Sequence, residues 1–270
     1  VSGKLLVCPT PIGNLGDITK RVADALASAD VVASEDTRRT RILLDHLGIG
    51  TRPIALHDRN ERSAIAGLVT KMIDGETVAL VSDAGTPVVS DPGFLLIRAC
   101  IETKVHVEVL PGPTAVTTAL VASGLPADSF TFVGFLPRKA GELDRLFSGA
   151  TGTVVAFESP NRIAAAMAVL AASEPDRQVA VCRELTKVHE EVIRGTAAEV
   201  AAELADRQVK GEITVVVGPP EAVEYEGASR EAVDSVRELV AAGAKPRAAA
   251  KVIAKLTGAR ANDLYSALGD

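Results

Sequence analysis

The chain has 270 residues, 47% of them hydrophobic but only 3% aromatic, with no tryptophan and a net charge of −6. Such a length supports one large or two medium domains, with cores built from Ala, Val, Leu and Ile. The acidic balance excludes strong, indiscriminate nucleic-acid binding. Charge is nonetheless uneven, because residues 227–270 hold seven Lys/Arg against five Asp/Glu, while residues 1–226 hold 22 against 30. Any nucleic-acid contact is therefore expected to be local. Cys8, Cys100 and Cys182 are far apart and odd in number, which suits buried thiols in a reducing compartment better than disulfides or a metal knuckle. No stretch approaches the length of a membrane span and no signal-peptide layout opens the chain. The expectation is a soluble cytoplasmic protein, with neither metal nor membrane.

In chain order, an apolar strand near 4–8 runs into Pro9-Thr10-Pro11-Ile12-Gly13-Asn14-Leu15-Gly16 and then a helix near 19–29 with Thr19 as N-cap. Neither the P-loop nor the GxGxxG spacing is present there. Strands near 30–34, 78–82 and 105–110 alternate with helices near 37–47, 61–74 and 92–103, which reads as a wound, mostly parallel sheet. Between the strand near 78–82 and the helix that follows it lies Ser82-Asp83-Ala84-Gly85-Thr86-Pro87-Val88-Val89-Ser90-Asp91-Pro92-Gly93. So dense a cluster of Gly, Pro and Asp at a strand's carboxyl end reads as a ligand loop, with an ornate turn as the bland alternative. Leu110-Pro111-Gly112-Pro113-Thr114 is a hinge before a helix near 114–123. Strands follow near 130–134, 153–158, 178–183 and 213–218. Pro219-Pro220 through Gly227 reads as a linker, and helices are expected near 229–242, 246–256 and 260–268. The expected domains are an α/β lobe over 1–113, a second over 114–220 and a helical, helix-turn-helix-sized module over 228–270.

Five segments together carry a resemblance: Thr10 to Thr19, Glu35-Asp36-Thr37-Arg38, Ser82 to Gly93, Glu158-Ser159-Pro160, and Arg183-Glu184-Leu185-Thr186-Lys187. They resemble one branch of the tetrapyrrole (corrin/porphyrin) methylase superfamily over residues 4 to about 218, with a further match in the helical tail. That branch methylates a cytidine 2′-hydroxyl of 16S rRNA in the small ribosomal subunit, using S-adenosylmethionine. The chain departs from it at Asn161, where the family usually has His. The resemblance implies two α/β lobes with the methyl donor in the cleft between them, and commonly a homodimer.

Methyl transfer from a sulfonium asks a protein mainly for alignment, so backbone-rich loops are its expected signature. The Ser82–Pro87 loop, the Gly112–Ala115 turn, the Phe157–Pro160 strand end and the Gly211–Thr214 strand start are of that kind. By resemblance, Asp83, Ala84, Gly85, Thr86, Thr114, Ala115, Phe157, Cys182 and Ile213 bind the donor, although Asp83 could instead cap its own turn. A base for the ribose hydroxyl could come from Glu184, Glu158 or Asp36, and the sequence singles out none. Arg38, Arg39 and Arg41 crowd the start of a helix capped by Thr37, where cations oppose the helix dipole. Phosphate binding accounts for them better, with Arg59 and Arg62 extending the rim. In the tail, Arg247 and Lys251 share a helix face with Lys255, suited to the same role or to a solvated cap. Methylation of a small tetrapyrrole precursor, or non-catalytic RNA binding, are the alternatives.

Overall fold

A computed structural model describes residues 3–57, 60–220 and 230–268. It separates into two compact units, one up to Pro220 and one after it. The first begins with five strands: β1 (Lys4–Cys8), β2 (Val31–Ser34), β3 (Pro53–Ala55), β4 (Thr77–Val81) and β5 (His106–Val109). Their order is β3-β2-β4-β1-β5, and every pairing is parallel. Helices α1 (Lys20–Ser28), α2 (Thr37–His46), α3 (Glu61–Ile73) and α4 (Phe94–Glu102) make the crossovers. Apolar clusters fill both faces, one around Leu5, Leu80 and Leu96 and the other around Leu6, Leu26 and Leu44. Burial on both sides is why these strands read as unbroken apolar runs.

The chain leaves β1 toward β2 and leaves β4 toward β5, so the winding reverses between β1 and β4. Their last residues, Cys8 and Val81, are register partners. The two Pro/Gly loops that follow therefore emerge side by side, in the crevice where open α/β sheets bind ligands.

After α5 (Ala115–Ser123) comes a second sheet of β6 (Phe130–Phe135), β7 (Thr153–Glu158), β8 (Gln178–Arg183), β9 (Glu191–Thr196) and β10 (Ile213–Val217). Its order is β6-β7-β10-β8-β9, with β6 and β7 parallel and the remaining pairs antiparallel. Helices α6 (Ala140–Ser148), α7 (Ile163–Ser173) and α8 (Ala197–Ala205) connect these strands. The register sets Ile213 opposite both Glu158 and Arg183. Because β10 runs against its neighbours, its start lies beside the ends of β7 and β8, and three loops collect at one edge.

Some elements escaped sequence reading. β3 has three residues and starts at a proline, while β9 (Glu-Val-Ile-Arg-Gly-Thr) is a polar edge strand without a clean alternation. Thr19 caps α1, its hydroxyl accepting from the Val22 amide. The expected cap on α2 was one residue late: Asp36 is the N-cap, accepting from the Arg38 amide at 2.8 Å, and Thr37 is the first helical residue.

The second unit holds α9 (Arg230–Ala241), α10 (Pro246–Thr257) and α11 (Ala261–Ser266), closed around Val236, Ala250, Ile253 and Leu264. Residues 221–229, in which most of the expected linker falls, lie outside the described residues.

Candidate functional site

The loops after β1 and β4 are knitted to each other. Thr10 and Gly85 exchange backbone hydrogen bonds at 2.8 and 3.0 Å, the Thr10 hydroxyl donates to the Ser82 carbonyl, and the Ser82 hydroxyl donates to the Gly85 carbonyl. Thr86 then ties the pair to the hinge, its hydroxyl donating to the Pro113 carbonyl at 3.3 Å. Val88 and Ser90 further along this loop have positive φ. For a β-branched valine that is a strained conformation, costing on the order of 1–3 kcal/mol and of a kind that clusters at ligand sites.

Across from these loops, the edge of the second sheet completes a cavity of about 360 Å³. Ala84, Gly85 and Thr86 line one wall, Thr114 and Ala115 the hinge, and Phe157, Cys182 and Ile213 the far side. Eight of the nine positions expected to hold a donor thus meet in one cleft. Its apolar surface comes from Ile12, Val89, Phe135 and Leu185, with Phe135 packed edge-on to Phe157 at 5.7 Å between ring centroids. Burial pushes the Cys182 thiol up to about 11, so it serves as a small apolar wall and not as a nucleophile.

Asp83, the ninth position, lines a second, smaller cavity of about 190 Å³. Its carboxylate accepts from the Asp36 amide at 2.9 Å and faces Arg39 at 3.8 Å, which joins the β4 loop to the start of α2. Arg39, Thr40, Lys187 and Glu212 line the same cavity. Ile12, Ala84 and Glu212 border both cavities, so the two adjoin.

Close approach of the loops requires two glycines. A Cβ on Gly13 would lie 2.4 Å from Lys187 Cγ and 2.9 Å from the Leu185 carbonyl oxygen. Gly211, with φ of +94°, has the Glu184 carboxyl group over it at 2.5 Å from any Cβ. Glu184 and Glu212 are doubly joined, since the Glu184 amide donates to the Glu212 carbonyl and the Glu212 amide donates to Glu184 Oε1. Lys187 Nζ donates to both carboxylates at 2.9 Å. Burial acts to raise the Glu184 pKa, yet the Glu212 amide and Lys187 outweigh it and hold the carboxyl below its ordinary value. Burial likewise acts to depress Lys187, but the two carboxylates keep its pKa raised and its charge in place.

The three expected bases occupy different places. Glu158 lines the large cleft but is buried against Arg162 at 2.5 Å and accepts from the Ser159 amide. Glu184 lines neither cavity and is spent on Glu212 and Lys187. Asp36 caps α2, and the Arg38 amide holds its pKa low. Glu184 and Asp36 thus lie outside both cavities, and Glu158 has its carboxylate taken up by Arg162 and the Ser159 amide.

The arginine cluster divides. Among the described residues, Arg38, 91% exposed at its side chain, pairs only with Asp36, at 3.4 Å, while Arg39 faces the small cavity. Arg41 is structural, bound to Asp45 and to the Ile49 and Thr51 carbonyls. Arg52, which sequence reading missed, shares an open groove with Arg38 and Arg41. Arg62 is exposed on α3, and Arg59 lies outside the described residues. On α10, Arg247 sits over the Tyr265 ring at 5.3 Å, with Lys251 and Lys255 exposed beyond it.

The family described as Tetrapyrrole (Corrin/Porphyrin) Methylases matches residues 4–201. A Mycobacterium tuberculosis protein named ribosomal RNA small subunit methyltransferase I is 47% identical, covering 99% of this chain and 95% of its own. A protein of the same name from Hydrogenobaculum sp. is 50% identical over 79% of this chain and 95% of its own. Among solved structures, uroporphyrin-III C-methyltransferase from Thermus thermophilus, complexed with S-adenyl homocysteine, matches with a TM-score of 0.58. It is 20% identical and covers 80% of this chain and 97% of that one, a likeness of fold alone.

Proposed function

The chain belongs to the tetrapyrrole (corrin/porphyrin) methylase family, and from that premise we propose that it methylates ribosomal RNA of the small subunit using S-adenosylmethionine. The acceptor is a cytidine 2′-hydroxyl of 16S rRNA, and the protein works in the cytoplasm as a homodimer. The observation that carries this reading is the pair of adjoining cavities. The larger fits the donor: its volume lies within the range of small-molecule sites, and apolar walls alternate with backbone and hydroxyl groups. The smaller presents Arg39 and Lys187 to a polar, anionic substrate. A rival that methylates a small tetrapyrrole precursor leaves the open groove of Arg38 and Arg52 and the basic face of α10 without a role.

S-adenosylmethionine supplies a methyl carbon on a positively charged sulfur, open to an oxygen aligned behind it. Ala84 to Thr86 and Thr114-Ala115 hold the donor against the first sheet, and Phe157, Cys182 and Ile213 close the opposite wall and exclude water. Strained Val88 and Ser90 keep the loop over the cleft. Lys187 holds a positive charge beside the acceptor. Arg38 and Arg52, with Arg247 and Lys251 on the tail, take backbone phosphates.

Filling the cleft separates donor binding from RNA binding. Ala115→Trp, at the first residue of α5, is expected to weaken donor affinity by about tenfold or more in calorimetry while leaving RNA binding intact. Truncation after Pro220 should do the opposite, keeping donor affinity and losing methylation. Unchanged donor affinity in a folded Ala115→Trp protein would remove the donor from this cleft. Full activity of the truncated chain would remove the tail from substrate recognition. A monomeric mass in light scattering at micromolar concentration would reject the homodimer.

A further inference from the structure

The base candidates visible in sequence are all committed elsewhere, yet one carboxylate stands where the two cavities meet. Glu212 is the only titratable group among the described residues that lines both the donor cleft and the smaller cavity. Asp83, Arg39 and Lys187 border the smaller one alone, and Asp91 and Glu158 the larger alone. The Glu212 backbone is fixed directly before β10 by its two bonds with Glu184, and its Oε2 accepts from Lys187 at 2.9 Å. That bond uses a fraction of a carboxylate's acceptor sites, and the side chain is 60% exposed, so it can reach an incoming substrate. A second observation marks the smaller cavity as a polar site. Thr40 is 4% exposed and lines it, and its hydroxyl oxygen has no hydrogen-bond partner among the described residues. A buried hydroxyl left in that state calls for a ligand group or water to satisfy it.

We propose that Glu212 is the catalytic proton acceptor, and that Thr40, Arg39 and Lys187 hold the acceptor nucleotide's ribose and flanking phosphate in the smaller cavity. This rests on the reading of the chain as an RNA ribose methyltransferase. The ribose O2′ forms a bond to the methyl carbon, and the carbon–sulfur bond breaks with its electron pair left on sulfur, which becomes neutral. The O2′ proton passes to the Glu212 carboxylate and from there to water. Oxygen grows positive as the new bond forms, so its proton becomes strongly acidic and an ionised carboxylate suffices to take it. Glu184 is then a positioning residue: it pins the Glu212 backbone and, through Lys187, aims the Glu212 side chain.

The test uses the full chain with small-subunit RNA. Glu212→Gln keeps shape and hydrogen bonding but cannot take a proton, so single-turnover methylation should fall about a hundredfold or more. Donor affinity by calorimetry and RNA affinity by filter binding should stay at wild-type values. In Glu212→Gly, formate should restore part of the rate, which a structural role for the side chain would not allow. Undiminished transfer by Glu212→Gln, a loss matched by lost donor or RNA affinity, or no rescue by formate in a folded Glu212→Gly protein overturns the assignment. A wild-type protein that transfers no methyl group to small-subunit RNA overturns the underlying reading, and this inference with it.

Discussion

Glu61→Ala is expected to destabilise the unit up to Pro220 by about 3 kcal/mol, the largest stability loss we foresee from removing one polar side chain. Glu61 opens α3, yet its residue is 6% exposed and its carboxylate works at the start of another helix. Oε1 accepts from the amides of Gly93, Leu95 and Leu96 at 3.1, 3.1 and 3.4 Å. Gly93 is the N-cap of α4 and has no side chain to offer, so α3 supplies the cap its own sequence lacks. Truncation leaves two buried donors and one half-buried donor without an acceptor and frees the carboxyl end of the Ser82–Gly93 loop. Donor affinity should therefore fall together with stability. Glu61→Gln retains an acceptor oxygen and should lose less. Urea unfolding is the check: the midpoint should drop at unchanged slope. An unmoved midpoint in Glu61→Ala would mean that α4 needs no cap from α3.

Helix caps of this kind show where sequence reading reaches its limit. Thr19 was legible because cap and helix are contiguous, and the donor loops were legible because Gly, Pro and Asp cluster at strand ends. Nothing local, by contrast, announces that Glu61 serves a helix more than thirty residues downstream. Asp83 is a similar case. Its place in the ligand loop suggested donor contact, but its carboxylate instead accepts from Asp36 and faces Arg39 on α2. The mixed second sheet was hidden because β10 reads as a plain apolar run, Ile-Thr-Val-Val-Val, whichever way its neighbours point. Glu212 went unread for the same reason. Its role comes from antiparallel register, which sets the start of β10 against the ends of β7 and β8. Gly211, which sits directly before Glu212 with positive φ, was the one available signal.

Arg38 and Arg41 lie three residues apart, and the structure predicts opposite consequences of losing them. Arg41→Ala should cost about 1–2 kcal/mol of stability, because its guanidinium holds Asp45 and two carbonyls of the turn before β3. Arg38→Ala should leave stability unchanged, since a surface pair with Asp36 at 3.4 Å is worth little. RNA binding should instead weaken, and the slope of log affinity against log salt should flatten by about one unit per lost phosphate contact. Arg52→Ala should behave like Arg38→Ala, from the far side of the same groove. Equal salt slopes for wild type and the Arg38→Ala, Arg52→Ala double variant would make that groove a solvated surface.

The central claim is that the adjoining cavities bring a methyl donor and a ribose hydroxyl of small-subunit RNA together. Its most direct test maps the modified nucleotide in 16S rRNA from cells lacking the gene, before and after incubation of their small subunits with the purified protein and S-adenosylmethionine. The account predicts one cytidine that gains a 2′-O-methyl group with the wild-type protein and gains none with Ala115→Trp. Methyl transfer to a base, to a tetrapyrrole precursor in place of RNA, or to no nucleotide at all would contradict it.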